Sequence, residues 1–322
     1  MIKEIFTSPN DGNYMFGYFD KSQISNCQRF YACLKVTKLD SYYKKNEFIE
    51  IGYFDQKSVF NKIDKSSAFN FQQGCMLNWI SFKNKRSLIY NIFEGETLCA
   101  RIYNLDDNKY YNLKYPLYSL SKNSNFFLTI NFCNLYKFKP GYSYDLGDNK
   151  IETNYHSIEE LGIWMYNLQT EKIKKIISAE DLGVNNKDFW IEHINISPDN
   201  FNFIFLLREK LKDGGINTSF YLSDINKSKL FKINNSGRAS HFNWFNENEF
   251  IVYGGLENYA NKLRKNKFLQ KLPFNRLLLS IYHKFIKHNS NLSKKITGDC
   301  YFIYNINNLT HKKINSQLLN LE

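Results

Sequence analysis

The chain alternates short apolar stretches with polar turns, and the same unit recurs along its length. Each copy has an apolar stretch, a polar turn and then a run of aromatic and β-branched residues. In the clearest copy, residues 194–207, Pro198, Asp199 and Asn200 supply a turn, because Asp and Asn bond their own backbone and tolerate positive φ. The pattern predicts a β-hairpin for each copy. Further copies begin at Gln23, Asn78, Tyr118 and Phe242.

The spacing of the copies predicts how the hairpins are organised. Five aligned positions are separated by 55, 41, 76 and 48 residues: Ile24, Trp79, Leu120, Ile196 and Trp244. Four-stranded propeller blades repeat about every 40–50 residues, and the intervals of 41 and 48 residues agree with that length. The chain is therefore predicted to be an all-β propeller of six or seven four-stranded blades, closed or incomplete at its C-terminus, in one domain over residues 1–322. The longest interval predicts an insertion within residues 133–160.

One segment has the helical period instead. Its apolar positions are 274, 277, 278, 281, 282, 285 and 286, which alternate steps of three and one. This predicts an amphipathic helical insertion at residues 258–297. Arg276, Lys284 and Lys287 lie on or beside its polar side, so they are the candidates for binding an anionic membrane surface. The alternative is a helix that docks on the propeller or on a partner protein.

The charge distribution favours a local anionic partner. The net charge is +12, and ten Lys and Arg residues lie between positions 258 and 298, where no acidic residue occurs. Outside this basic block the chain is nearly neutral. A single local block, without a recognisable nucleic-acid-binding module, makes nucleic acid an unlikely partner class. No run reaches the ~18 apolar residues of a membrane span, and the N-terminus has no signal-peptide pattern. We expect a cytoplasmic protein, with peripheral attachment at the inner membrane face as a further expectation.

Five strings occur in order along the chain: FGYFDK (16–21), QGCMLNW (73–79), NFCNLYKFKPGYSY (131–144), LGIW (161–164) and SHFNW (240–244). With the Ser-Pro-Asp hairpin they resemble the TolB-like propellers and their oligogalacturonate-lyase-like branch, and more closely the propellers of bacterial surface-polysaccharide gene clusters. The resemblance implies a carbohydrate-binding or carbohydrate-active protein that takes a glycan or a glycolipid-linked sugar. A polysaccharide lyase acting by β-elimination is the most specific activity it implies. Members of the group continue into a further blade beyond the residues that match 298–304, and the metal ligands of oligogalacturonate lyases do not map onto this sequence.

The candidate catalytic residues are histidines and tyrosines. His193 and His241 each precede the aligned position of successive copies, where they can share a divalent metal or polarise a carboxylate. The alternative is that each bonds the backbone of a neighbouring blade. Tyr142 and Tyr144 lie on the predicted insertion and are candidates, with the histidines, for the base and acid of a β-elimination. The alternative for these tyrosines is ordinary loop packing.

The candidate substrate-binding residues are polar groups near the predicted inner strands. Arg208 or Arg238 can pair with a uronate carboxylate through its guanidinium group. The other candidates are Asp20, Lys21, Gln73, Asn78 and Asn131. For Asp20 and Lys21 the alternative is a structural ion pair.

The sequence leaves different classes of function open. One is the carbohydrate-active propeller described above. The second is a non-catalytic scaffold, tethered to a membrane or to partner enzymes by the basic helix. A third is a remnant without activity.

Overall fold

The computed structural model is built almost entirely of β-strands. It describes residues 6–39, 43–146, 160–185, 187–212, 214–255 and 299–314. These residues form five four-stranded antiparallel sheets. By the positions of its Cα atoms, the chain divides into two compact units, residues 1–179 and 180–322.

The first unit contains sheets 1 to 3. Sheet 1 is formed by β1 (Asn13–Met15), β2 (Tyr31–Val36), β3 (Ile49–Phe54) and β4 (Phe60–Ser66). Sheet 2 is formed by β5 (Asn78–Phe82), β6 (Lys85–Glu94), β7 (Thr97–Asn104) and β8 (Lys109–Asn112). Sheet 3 is formed by β9 (Ser119–Leu120), β10 (Phe126–Thr129), β11 (Gly162–Asn167) and β12 (Ile173–Ser178).

The second unit contains sheets 4 and 5. Sheet 4 is formed by β13 (Phe189–Ile196), β14 (Asn202–Lys210), β15 (Ile216–Asp224) and β16 (Leu230–Gly237). Sheet 5 is formed by β17 (Ala239–Trp244), β18 (Glu249–Gly255), β19 (Asp299–Asn305) and β20 (Thr310–Lys313).

Every sheet has the same topology. Its four strands follow one another in chain order, and each is antiparallel to the next, as in a propeller blade. Four of the predicted hairpins, those at Asn78, Tyr118, Ile194 and Phe242, are confirmed as the first strand pairs of sheets 2 to 5. The copy at Gln23 lies between β1 and β2 and forms only an isolated bridge, between Ile24 and Tyr31. The described residues contain five sheets, against the six or seven predicted. The predicted helical insertion at 258–297 lies outside the described residues.

Local side-chain bonds explain the hairpin turns. Between β13 and β14, the Ser197 hydroxyl accepts a hydrogen bond from the Asn202 backbone N–H at 2.9 Å. The Asp199 carboxylate accepts one from the Phe201 N–H at 3.0 Å, and Asn200 takes a φ of +67°. These are the turn roles that the sequence predicts for Asp and Asn.

Neighbouring sheets are held together by apolar cores. Between sheets 1 and 2 the core includes Leu34, Ile51, Leu88 and Tyr90, all 0% exposed. Between sheets 4 and 5 it includes Leu206, Phe220, Phe242 and Phe250. Burial of such side chains is the main force that stacks the sheets.

The predicted insertion at 133–160 is confirmed in position. It separates β10 from β11 and contains α1 (Phe132–Phe138), followed by a 3₁₀ turn (Pro140–Tyr142). Asn131 begins α1, because its side-chain oxygen accepts a hydrogen bond from the Asn134 backbone N–H at 2.7 Å. The insertion thus interrupts sheet 3 between its second and third strands.

Candidate functional site

The first strands of sheets 4 and 5 carry the two predicted histidines at equivalent places. The pairing of β13 with β14 shifts at His193, and that of β17 with β18 shifts at His241. Both residues take left-handed backbone angles, with φ of +55° and +44°. A bulge redirects the side chain that it carries, and bulges recur beside active sites. The predicted equivalence of the two positions is confirmed.

Contacts across the second unit show that β13 and β17 lie side by side. The ring of His193 lies 6.5 Å from that of Phe242, nearly perpendicular to it. The Asn195 side-chain amide donates to the Asn243 side-chain oxygen at 3.0 Å. The Trp244 indole N–H donates to the Asn195 backbone oxygen at 3.1 Å. The polar residues of both first strands therefore belong to one surface of this unit.

The two histidines differ in their surroundings. His241 is exposed, and its Nδ1 lies 2.8 Å from the Ser240 hydroxyl, which fixes the ring. The His193 side chain is only 11% exposed, and its Nε2 lies 3.6 Å from Glu192 Oε1. That distance is too long for a hydrogen bond, and the contact is an ion pair only when the imidazole is protonated. His241 is thus the more accessible of the pair to a large ligand.

A buried carboxylate beside His193 was missed by the sequence reasoning. Glu192 is 0% exposed and accepts hydrogen bonds from Arg208 Nε at 2.7 Å and from the Trp190 indole N–H at 2.9 Å. The available signal was an acidic residue that directly follows the apolar run Phe189–Ile191 of a strand. Such a residue needs a cation or several donors near it.

The two predicted arginines lie in different settings. The Arg208 guanidinium is 16% exposed, and it also donates from Nη1 to the Thr218 hydroxyl at 2.6 Å. Arg208 therefore neutralises Glu192 inside the protein rather than presenting its charge to a ligand. Arg238 lies in the connection between β16 and β17, three residues before His241, and is partly exposed.

The described residues provide no three-ligand metal site. No group of three or more His, Cys, Asp or Glu side chains among them is placed to hold a metal ion. The role of His193 and His241 as metal ligands stays a prediction, and the proposal below uses side chains alone.

In the first unit, the structure brings three predicted substrate-binding residues together. Lys21 and Asp20 form an ion pair of 2.6 Å in the connection between β1 and β2. This connection lies against Gln73, because a Cβ added at Gly17 would be 3.0 Å from the Gln73 backbone oxygen and 3.7 Å from Lys21 Cγ. The two side chains thus form the ion pair that the sequence gives as the alternative, and their role in substrate binding stays a prediction.

Gln73 continues this cluster inward. It is 2% exposed and its amide donates to the Tyr118 hydroxyl at 3.3 Å. Its Oε1 and one oxygen of Asp20 are buried without a hydrogen-bond partner among the described residues. Buried oxygens of this kind are usually satisfied by water or a ligand.

The remaining predicted residues of the first unit make local contacts. The Asn78 amide donates to the Met76 backbone oxygen at 2.8 Å, and Asn131 caps α1.

Tyr142 is half-buried, with Lys139 Nζ 5.1 Å from its ring centre. Tyr144 is 0% exposed and accepts a hydrogen bond from the Asn91 amide at 3.0 Å. Burial raises the pKa of Tyr144 well above its ordinary value, so its hydroxyl is neutral and closed to a substrate in this structure.

The predicted membrane-binding residues Arg276, Lys284 and Lys287 lie outside the described residues. The scaffold function and the membrane location depend on them and stay predictions. Within the described ranges, no helix is both long enough and apolar enough to span a bilayer.

Solved structures with similar folds include an oligogalacturonate lyase from Vibrio parahaemolyticus. It matches with a TM-score of 0.54 at 11% sequence identity, covering 95% of this chain and 67% of that one. TolB from Acinetobacter baumannii matches at 0.42 and 10% identity, covering 83% and 49%. An oligogalacturonate lyase in complex with manganese matches at 0.40 and 10% identity, covering 95% and 79%.

The first of these likenesses shows the fold. The predicted all-β propeller fold is confirmed by this likeness and by the five four-stranded antiparallel sheets. The chain spans about two thirds of the lyase from Vibrio and about half of TolB. Neither a protein-family model nor a curated protein matches the sequence.

Proposed function

We propose that this chain is a carbohydrate-active propeller that binds an acidic glycan along the first strands of its second unit. The carrying observation is that β13 and β17 lie side by side and that each carries a histidine at a bulge. The fold shared with an oligogalacturonate lyase supports a carbohydrate ligand.

The finer proposal is cleavage of a uronate-containing glycan by β-elimination. Arg238 pairs with the uronate carboxylate and stabilises the negative charge that develops beside it. His241 takes the C5 proton, and the electron pair of that C–H bond forms the C4–C5 double bond. The C4–O bond breaks, and the leaving oxygen takes a proton from His193. The Ser240 hydroxyl orients the base by its contact with Nδ1, leaving Nε2 to accept the proton.

The test is the ultraviolet absorbance of the unsaturated uronate, measured on a panel of acidic glycans with the full chain. We expect His241→Asn to lower the cleavage rate at least about 100-fold, the usual contribution of a general base. Asn is chosen because it tolerates the left-handed backbone at this position.

The matched control is His311→Asn. His311 is also an exposed histidine of sheet 5, but it lies on the last strand, stacked on Tyr304 at 5.2 Å. We expect it to keep full activity. Lack of cleavage of every acidic glycan rejects the lyase proposal. An equal cleavage rate for the wild type and His241→Asn rejects the placement of the site.

A further inference from the structure

A cavity of about 530 Å³ opens on sheet 1 of the first unit. Its lining residues are Phe6, Ser8, Tyr14, Met15, Phe16, Gln23, Ile24, Tyr31, Cys33 and Phe54. This volume lies within the range of small-molecule sites in proteins. The lining contains no Asp, Glu, Lys, Arg or His, and burial raises the pKa of the Cys33 thiol to about 12. A charged ligand would lose its hydration there without gaining an opposite charge, so the lining favours an uncharged ligand.

The cavity lies on the face of sheet 1 that is turned away from sheet 2. Tyr31 and Cys33 alternate along β2 with Ala32 and Leu34, which belong to the core between the two sheets. Side chains at alternate positions of a strand point to opposite faces. The cavity therefore lies mainly on this face, while two of its lining residues, Met15 and Phe16, also pack against that core.

The aromatic walls are held by one another. Phe6 stacks on Tyr31 with ring centres 4.6 Å apart and planes 14° apart. Phe54 lies behind them, 5.1 Å from Phe6 and 4.9 Å from Tyr14. Rings fixed in this way present a preformed apolar surface at low entropic cost.

The cavity lining also contains polar groups, namely the side-chain amide of Gln23 and the hydroxyls of Ser8 and Tyr31. The side chains of Ser8, Gln23 and Tyr31 make no hydrogen bond to any described residue. Gln23 is nevertheless fixed, because its backbone oxygen accepts from Ala32 N at 2.8 Å and from the Trp79 indole at 2.9 Å. A sugar ring combines an apolar C–H face with an edge of hydroxyls, so it matches rings flanked by a free amide and hydroxyls. A purely apolar ligand would displace water from these groups and replace none of the hydrogen bonds.

We propose that this aromatic cavity binds one uncharged sugar residue of a glycan. The inference rests on the proposed function in that the ligand is a carbohydrate. It adds a second binding site, on the first unit, with a preference for a neutral sugar.

The experiment is calorimetric titration of the full chain with three probes: a panel of neutral disaccharides, a digalacturonate, and the uncharged apolar dye Nile red. We expect at least one neutral disaccharide to bind. Gln23→Ala and Tyr31→Phe should each weaken that binding about tenfold, the loss of one hydrogen bond to a buried ligand. The matched control is Gln72→Ala, an exposed glutamine outside the cavity.

The outcomes separate this inference from the proposed function. Neutral binding that Gln23→Ala weakens and His241→Asn leaves unchanged supports the cavity, whatever the acidic glycans do. The inference is overturned if no neutral sugar binds, if only Nile red depends on Gln23, or if Gln72→Ala weakens binding equally. Tyr31→Phe removes a hydroxyl that makes no hydrogen bond to any described residue, so this variant should stay folded. Its effect on neutral-sugar binding therefore tests the inference even if Gln23→Ala unfolds the protein.

Discussion

At individual residues, the partner of a side chain decides its role. Arg208 has the residue type that a uronate site needs, but two of its nitrogens are bonded to Glu192 and Thr218. Tyr144 has the hydroxyl that a lyase needs, but it is fully buried against Phe132 and Asn91. Neither contact is visible in the sequence, because each joins residues that are distant along the chain.

Cys27 is a residue whose surroundings predict unusual pH dependence. It is exposed, and the Ser25 hydroxyl 3.4 Å away, aided by Arg29 and Arg86, lowers the pKa of its thiol to about 6. Iodoacetamide at neutral pH should therefore alkylate Cys27 before the other five cysteines, with half its maximal rate near pH 6. Mass spectrometry of tryptic peptides measures this.

The same shift has a consequence for stability. The folded state favours the thiolate, so the contribution of Cys27 is fully present above the ordinary thiol pKa and is lost as the pH falls through about 6. Ser25→Ala should move the alkylation midpoint upward. An identical alkylation profile for Cys27 in the native and the denatured protein would contradict the shift.

At the scale of the element, hairpins are the best predicted feature. Turn residues and a two-residue alternation are local, so the copies at 78, 118, 194 and 242 each appear as paired strands. Bulges were not predicted. They depend on the register between strands, which tertiary contacts set.

Gly52 shows how strictly one such irregularity constrains the sequence. The pairing of β3 with β4 shifts at this glycine, and an added Cβ would lie 2.5 Å from the Asn61 backbone oxygen and 2.6 Å from the Phe60 ring. Gly52→Ala should lower the free energy of unfolding by about 1–3 kcal/mol, because backbone must move. Urea denaturation followed by circular dichroism measures the change.

The control for Gly52 is Gly12→Ala. There the nearest atom to an added Cβ is the flexible Cε of Lys35, which can move aside. We expect a change below about 0.5 kcal/mol. Equal unfolding midpoints for the two variants would show that β3 can shift at no cost.

At the scale of the whole molecule, polar side chains join one sheet to the next. Asn91 on β6 is fully buried; its amide donates to the Leu117 backbone oxygen at 2.8 Å and its oxygen accepts from the Leu117 N–H at 2.7 Å. Since Leu117 leads into sheet 3, this side chain ties sheets 2 and 3 of the first unit together. It also reaches Tyr144 on the insertion.

Asn91→Ala should be among the more damaging substitutions in the first unit. It leaves buried backbone groups without partners, so we expect a loss of more than about 2 kcal/mol in the free energy of unfolding. Thermal and urea unfolding measure it, with the exposed Asn26→Ala as the control. A loss no larger than that of Asn26→Ala would show that water replaces these hydrogen bonds.

The sequence by itself determined the strands, their turns, the repeat and the position of the insertion, because these depend on neighbouring residues and on side-chain alternation. It also identified His193 and His241 as equivalent, since the repeat aligns them. Only the tertiary structure decided which candidates meet: the Glu192–Arg208 pair, the close approach of Gly17 to the Gln73 backbone, and the aromatic cavity on sheet 1. Those features depend on register and on packing between strands far apart in the chain, where a shift of one residue turns a side chain to the other face.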